Sequence, residues 1–171
     1  MRRRAILVTL LLAGLLAACG YRPPGAALPL RLQRLHVAPF ANETFRPGVN
    51  ALVAEAVLRR LQLDHRVAVV EEGGAEAVLA GAVRQYENEA VAFERADIGR
   101  RFRVRLYVAA TLVDRRGGPT LRQEVVGEAF YTAAAAVTGT RAAEEDAVRR
   151  AAQDLAERLV TVLVYEMAAE R

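Results

Sequence analysis

A strict alternation of side-chain types runs through residues 102–113 and constrains the fold more than any other feature of the chain. Every second side chain from Phe102 to Leu112 is apolar. The positions between them include Arg103, Arg105, Tyr107 and Thr111. Since successive side chains of a strand point to opposite faces, the pattern predicts a long strand with one buried face. Other elements must therefore cover that face.

Further strands are predicted on both sides of this one. The turn residues 114–119 bring the chain back, so residues 121–131 are expected to form a hairpin partner. Alternating apolar residues predict a strand at 32–38 and another at 77–86, with room for the latter to continue to Phe93. A short extended run is expected at Val67 to Val70.

Apolar residues at spacings of three and four predict two helices. The first covers about a dozen residues from Val49, and the second runs from about Arg141 to Ala168, after a loop at 132–139. The order strand, helix, strand, strand, strand, helix indicates an α+β domain with two helices packed on one face of a mixed four-stranded sheet. The opposite face, with Arg103 and its neighbours, is expected to stay uncovered.

The amino terminus has the three-part layout of an export signal. Arg2 to Arg4 precede an apolar run from Ala5 to Leu16, and two alanines lead into Cys19. The apolar run is shorter than the ~20 residues that span a bilayer. The segment Leu16–Cys19 resembles the bacterial lipobox, which implies cleavage after residue 18 and N-acyl and S-diacylglycerol groups on Cys19. The alternative is an ordinary cleaved signal followed by a chance cysteine.

The predicted organisation is therefore a lipoprotein signal peptide at 1–18, a lipidated tether at 19–29 and a single domain at 30–171. The segment from 20 to 29 carries Pro23, Pro24, Gly25 and Pro29, which discourage regular structure there. Acyl chains contribute ~0.8 kcal/mol of membrane affinity per buried methylene, so the domain is expected to be anchored without a membrane-spanning helix. Gly20 is compatible with outer-membrane sorting.

Composition excludes several functions. All 24 basic residues are Arg, and three lie in the predicted signal, which leaves 21 Arg against 20 carboxylates and gives no reason to expect nucleic acid binding. The chain has no Ser and no Lys, and its one Cys is expected to carry lipid, so the usual nucleophiles are excluded. His36 and His65 lie in separate segments away from acidic clusters, which predicts structural roles. We therefore expect no enzymatic activity, metal or cofactor.

Five blocks of the sequence resemble the LptE family of lipopolysaccharide-assembly lipoproteins. They are Cys19-Gly20-Tyr21, VAPFANET at 37–44, AVLAGAV at 77–83, RFRVRL at 101–106 and GEAFY at 127–131, followed by the long last helix. The resemblance implies the family's fold of two helices on a four-stranded sheet. It also implies the family's task in the outer membrane, which is to plug the LptD barrel and help to deliver lipopolysaccharide to the outer leaflet.

The resemblance also implies a lipopolysaccharide-binding segment between the second and third long strands. In this chain the candidates are Arg95, Arg100, Arg101, Arg103 and Arg105. Guanidinium groups can bind lipid A phosphates bidentately. Along the sequence Asp97 is the nearest acid after Glu94, so we expect excess positive charge here. The candidate anchors for the barrel partner are Tyr107, Phe130 and Tyr131.

Two alternatives remain open from the sequence. The stretch FANET at 40–44 also resembles regulators of peptidoglycan synthases and curli-secretion components, which bind a periplasmic enzyme or assemble into a pore. A lipid-anchored hydrolase could use only carboxylates such as Glu87, Glu89 and Asp97. No pair of these has an evident rigid spacing for general acid and base catalysis, so we rank this hypothesis last.

Overall fold

In the described residues, a helical crossover between parallel strands is followed by a long antiparallel meander and a last helix. The computed structural model describes residues 33–92, 100–118, 120–133 and 136–169. In chain order the elements are β1 (Arg34–Val37), β2 (Ala41–Asn42), α1 (Val49–Gln62), β3 (Ala68–Val69), β4 (Ala77–Ala92), β5 (Arg101–Asp114), β6 (Thr120–Thr132) and α2 (Val137–Ala169). The predicted signal, Cys19, the tether, Arg95 and Asp97 lie outside the described residues.

The strands form one mixed sheet in the described part of the chain. The order is β3, β1, β4, β5, β6, and β2 also pairs with β4. β1 runs parallel to β3 and β4, whereas β4, β5 and β6 form an antiparallel meander. The α+β class, the two helices and the parallel crossover through α1 are thereby confirmed. The predicted count of four strands was too low, because β2 and β3 have two residues each and are too short to show alternation.

Element boundaries differ from the predictions mainly at the ends. β4 extends to Ala92, close to the longer of its two predicted limits. β3 lies within the extended run predicted at 67–70. The last helix begins at Val137, so the loop predicted at 132–139 is shorter than expected. The first turn consists of Val137, Thr138, Gly139 and Thr140, and these residues do not extend the apolar stripe that predicted the helix.

The core lies between the helices and one face of the sheet. Five side chains on β5 are at most 2% exposed: Val104, Leu106, Val108, Ala110 and Leu112. Residues of α2 that face them, with Leu155, Leu159 and Leu163 at their centre, are equally buried. This confirms the predicted buried face of the alternating strand. Burial of that apolar area, at roughly 25 cal/mol per Å², is the main term holding the layers together.

Gly127 allows α2 to lie directly on β6. A Cβ atom at this position would lie 2.7 Å from the backbone nitrogen of Leu155 and closer still to the carbonyl oxygen of Ala151. Real Cβ atoms do not approach backbone atoms so closely. The glycine therefore sets the distance between the last helix and the edge of the sheet.

The opposite face of the meander is open. No element of the described residues packs on it, and its positions on β5 and β6 alternate with the buried ones. Among the described residues, neither helix has the length and apolar character that crossing a membrane requires. The open face is therefore the surface on which the predicted site residues can be located.

Candidate functional site on the open sheet face

Cross-strand ion pairs occupy the centre of the open face. The sheet register sets Glu87 opposite Arg105 and Glu89 opposite Arg103. One terminal nitrogen of Arg105 lies 2.5 Å from a Glu87 carboxylate oxygen and 3.0 Å from one of Glu89. Arg103 also contacts Glu89, at 3.3 Å. Two of the predicted basic residues are thus balanced by carboxylates of the neighbouring strand.

This pairing corrects the expected charge of the segment. The sequence suggested Asp97 and Glu94 as the nearest acids along the chain, and strand pairing adds Glu87 and Glu89, which both contact Arg105 directly. The same carboxylates were the hydrolase candidates, and here they bind arginine. Excess positive charge is therefore smaller on the strand than the linear sequence indicates.

Tyr107 lies beside this network, on the open face as predicted. Its hydroxyl donates a hydrogen bond to Glu87 at 3.1 Å. Desolvation and that hydrogen bond raise the pKa of Tyr107 above its ordinary value. The Arg105 guanidinium lies 5.8 Å from the centre of the ring. Tyr107 is therefore held in place by the ion pairs that surround it.

Arg101 and Phe130 form the exposed end of the face. The Arg101 guanidinium carbon lies 4.7 Å from the centre of the Phe130 ring, which is a cation–π contact. Phe130 is 38% exposed. Within the described residues Arg101 makes no ion pair, in contrast to Arg103 and Arg105. Arg100 is exposed at the start of β5, and its carbonyl accepts a hydrogen bond from Ala133.

Tyr131 does not belong to this face. It is 7% exposed on the helix-covered side, and its ring stacks on Phe102 with centroids 5.1 Å apart. Its hydroxyl exchanges hydrogen bonds with the Asn88 side chain. The two predicted anchors Phe130 and Tyr131 therefore lie on opposite faces of β6, and only Phe130 is on the open face. Adjacent residues of a strand face opposite ways, so only one of the two could be exposed.

The loop that follows β2 is shaped by an Asx turn. The Asn42 side-chain oxygen accepts hydrogen bonds from the backbone N–H and the hydroxyl of Thr44, at 3.0 and 2.8 Å. Its amide nitrogen donates to the carbonyl of Arg46 at 2.8 Å. The block FANET at 40–44 therefore has a structural role, since it fixes the approach to α1.

A polar cluster that the sequence analysis missed ties this loop to the rest of the domain. Arg46 donates to the Tyr86 hydroxyl at 2.9 Å and to Glu144 at the start of α2, and Tyr86 donates to Glu144 at 2.8 Å. Burial and the hydrogen bond to Glu144 raise the pKa of Tyr86 well above its ordinary value. The three residues are far apart in sequence, so no local pattern could have indicated the cluster.

An open cavity of 480 Å³ lies beside the cluster. Its walls are residues 43–47 of the loop and residues 84–86 of β4. A β-bulge at Arg84 interrupts the register of β4 here, and Phe45 at the tip of the loop is fully exposed. The cavity is a shallow depression, and both of its arginines are engaged by carboxylates, Arg84 by Glu43 and Arg46 by Glu144.

The histidines occupy separate positions. Nδ1 of His36 lies 3.2 Å from the carbonyl oxygen of Val70, and His65 is exposed after α1. No group of three or more His, Cys, Asp or Glu side chains in the described ranges is close enough to hold a metal ion. The geometry of the described residues thus consists of ion pairs, aromatic contacts and an open sheet face.

Solved structures of several bacterial lipoproteins share this fold. A lipoprotein from Caulobacter crescentus matches with a TM-score of 0.53 and 21% identity over 79% of this chain and 92% of that one. Rare lipoprotein B from Shewanella oneidensis matches with a TM-score of 0.55 and 14% identity over 81% and 99%. Lipoprotein B from Nitrosomonas europaea gives 0.53 and 17% over 88% and 94%. At these identities the likeness concerns the fold.

Sequence comparison identifies the family. The fold defines a class of α+β domains in which two helices cover one face of a mixed sheet. Within that class, the LptE family, described as lipopolysaccharide-assembly, matches residues 32–163. The chain belongs to the LptE family, and its role lies in lipopolysaccharide assembly. A comparison with curated protein sequences finds no match.

Proposed function

We propose that this chain is a non-enzymatic outer-membrane lipoprotein that plugs and supports the LptD barrel and helps to deliver lipopolysaccharide to the outer leaflet. The family match over residues 32–163 carries this proposal and favours it over the peptidoglycan-synthase and secretion-pore alternatives. The open sheet face supports it, since a plug needs a surface that its own helices leave free.

The barrel-contacting part of the proposal centres on Phe130. It is exposed, it lies on a strand whose other face is rigidly packed, and Arg101 covers part of its ring. Exposed aromatic residues on rigid elements are frequent anchors in protein interfaces. Tyr107 contributes at the same face through its ring edge, while its hydroxyl stays bound to Glu87.

The lipopolysaccharide-contacting part of the proposal assigns the basic segment Arg95, Arg100, Arg101, Arg103 and Arg105 to lipid A phosphates. Arg101 is the strongest candidate among them in the described residues, because it makes no ion pair there. Arg103 and Arg105 would have to exchange a carboxylate partner for a phosphate, which reduces their net contribution to the free energy of lipid A binding. The anchor itself is proposed to be the N-acyl and S-diacylglycerol groups on Cys19.

Two single substitutions test these contacts separately. Arg101→Glu should weaken binding of lipopolysaccharide to the full chain in detergent about tenfold, because one ion pair becomes a repulsion. Arg59→Glu is the matched control, since Arg59 is also an exposed arginine but lies on α1.

Phe130→Ala should reduce the barrel protein that co-purifies with the tagged chain, whereas Tyr165→Ala, an exposed aromatic on α2, should not.

Three results would count against the proposal. Mass spectrometry of the gently solubilised protein could find a peptidoglycan synthase and no barrel. Phe130→Ala could retain the wild-type amount of barrel, which would move the contact to another surface. Arg101→Glu could keep full lipopolysaccharide affinity while folded, which would reduce the basic segment to an ordinary solvated surface.

A further inference from the structure

The outer edge of β6 carries a window of free strand backbone. β6 is the last strand in the sheet order, so one of its two edges faces outward. Its register with β5 is regular throughout, and residues of one parity therefore turn their N–H and C=O groups to the same side. The N–H of Glu128 donates to the Asp154 side chain instead of to β5. The even-numbered residues of β6 therefore turn their backbone groups outward.

Side chains of α2 cover only one end of this edge. Asp154 accepts the Glu128 N–H at 3.0 Å, and Arg150 donates to the Phe130 carbonyl at 2.8 Å. Within the described residues, the outward N–H and C=O groups from Thr120 to Val126 have no hydrogen-bond partner. An unpaired strand edge is a template for another strand. The window Thr120–Val126 is thus available for pairing.

The side chains of the window are also unpaired. Arg122 and Glu124 lie on the open face at the outward positions, and within the described residues neither makes an ion pair. This differs from the centre of the face, where Glu87 and Glu89 bind Arg103 and Arg105. Two unpaired charges of opposite sign, two residues apart on an edge strand, can complement a strand with the same two charges.

We propose that this window pairs antiparallel with the same window of a second copy of the chain. A two-fold axis through Gln123 sets Arg122 of each copy directly opposite Glu124 of the other, on the same sheet face. It also sets Thr120 opposite Val126. Shifting the centre to Glu124 would oppose the two Glu124 side chains, and shifting it to Arg122 would oppose the two arginines. Opposite charges directly across strands stabilise pairing and like charges destabilise it, so the charges select one register.

The proposed pairing goes beyond the proposed function and does not depend on it. Seven residues per copy form a short ladder, so the dimer depends on protein concentration. The two sheets become one continuous sheet, with the open face of each copy on the same side. The Phe130 end of β6 lies outside the ladder, because Asp154 and Arg150 of α2 already occupy its edge groups.

Charge reversal with complementation tests the register. In detergent-solubilised full chain, Arg122→Glu and Glu124→Arg should each weaken self-association about tenfold, since two attractive pairs become two repulsive ones. An equimolar mixture of the two variants should associate, because every pair across the axis is then attractive. The double variant with both changes should also recover association. Sedimentation velocity measures the fraction of dimer in the wild type, in each variant and in the mixture.

A cysteine on the axis gives an independent test. Gln123→Cys places two thiols directly opposite each other, at the spacing of a non-hydrogen-bonded pair, and should yield a disulfide-linked dimer under mild oxidation. Arg122→Cys is the matched control and should yield little disulfide-linked dimer, since the two cysteines introduced at position 122 lie diagonally across the ladder and not directly opposite each other. A wild-type chain that stays monomeric at the highest attainable concentration overturns the proposal. A variant mixture that associates no better than its components overturns it as well.

Discussion

Two single residues, Gly127 on β6 and Tyr86 on β4, determine how neighbouring elements pack in this domain. At Gly127 the absence of a Cβ atom lets α2 rest on the strand, with the Leu155 backbone 2.7 Å from where that atom would be. At Tyr86 a partly buried phenol joins a loop, a strand and the last helix through Arg46 and Glu144. We expect each feature to make a measurable contribution to stability.

Gly127→Ala should lower the free energy of unfolding by about 1–3 kcal/mol, because the added methyl group forces the helix and strand apart. Gly73→Ala is the matched control: a Cβ there meets nothing within 4 Å, and the change should stay within about 0.5 kcal/mol. Urea denaturation of both variants measures the difference. Equal stabilities would mean that the helix can shift without cost.

Tyr86 should make stability depend on alkaline pH. Its raised pKa means that the folded state favours the protonated phenol. This contribution is complete below the unfolded pKa of about 10 and is lost as the pH rises above it. Wild type should therefore lose more stability than Tyr86→Phe between about pH 10 and 12. Parallel curves for the two proteins would show that the phenol is solvated in the folded state.

At the scale of elements, α2 supplies the cover for the meander. Its 33 residues run from Val137 to Ala169 and pack against β5, β6 and α1. Its buried stripe contains the fully enclosed Leu155 and Leu159. The stability of the domain should therefore depend strongly on this one face of the helix.

Leu155→Ala or Leu159→Ala should cost about 2–5 kcal/mol, as large-to-small changes in a packed core do. Glu157→Ala, an exposed position between them, should cost less than about 0.5 kcal/mol. Thermal or chemical unfolding of the three variants provides the comparison. A stability loss below about 0.5 kcal/mol for either leucine variant would contradict burial of the helix face.

The elements that sequence predicted well are those with long, regular patterns. β5 and α2 each repeat their apolar period several times, so their existence and buried faces followed from side-chain geometry alone. The pairing of Arg105 with Glu87 did not, since it depends on the register between strands and on the bulge at Arg84. The Arg46, Tyr86 and Glu144 cluster needs three elements to meet. Sites built by tertiary contacts leave no period in the sequence.

At the scale of the whole molecule, the anchor is the prediction that lies outside the described residues. Cys19→Ala should leave an unprocessed, unlipidated precursor, because the chain has no other thiol to accept the lipid. Mass spectrometry of the amino terminus in both proteins tests this. A wild-type protein that begins at another residue, or at an unmodified Cys19, would remove the basis for lipid anchoring.

The position of α2 in the chain also sets the order in which the domain can fold. The meander is synthesised before the helix that covers it, and the contact between Arg46 and Glu144 joins residues 98 positions apart. A nascent chain therefore exposes the apolar face of β5 and β6 until the 33 residues of α2 emerge. Contacts so distant in sequence slow folding and leave time for a chaperone to bind. The core can therefore close only after α2 has been synthesised.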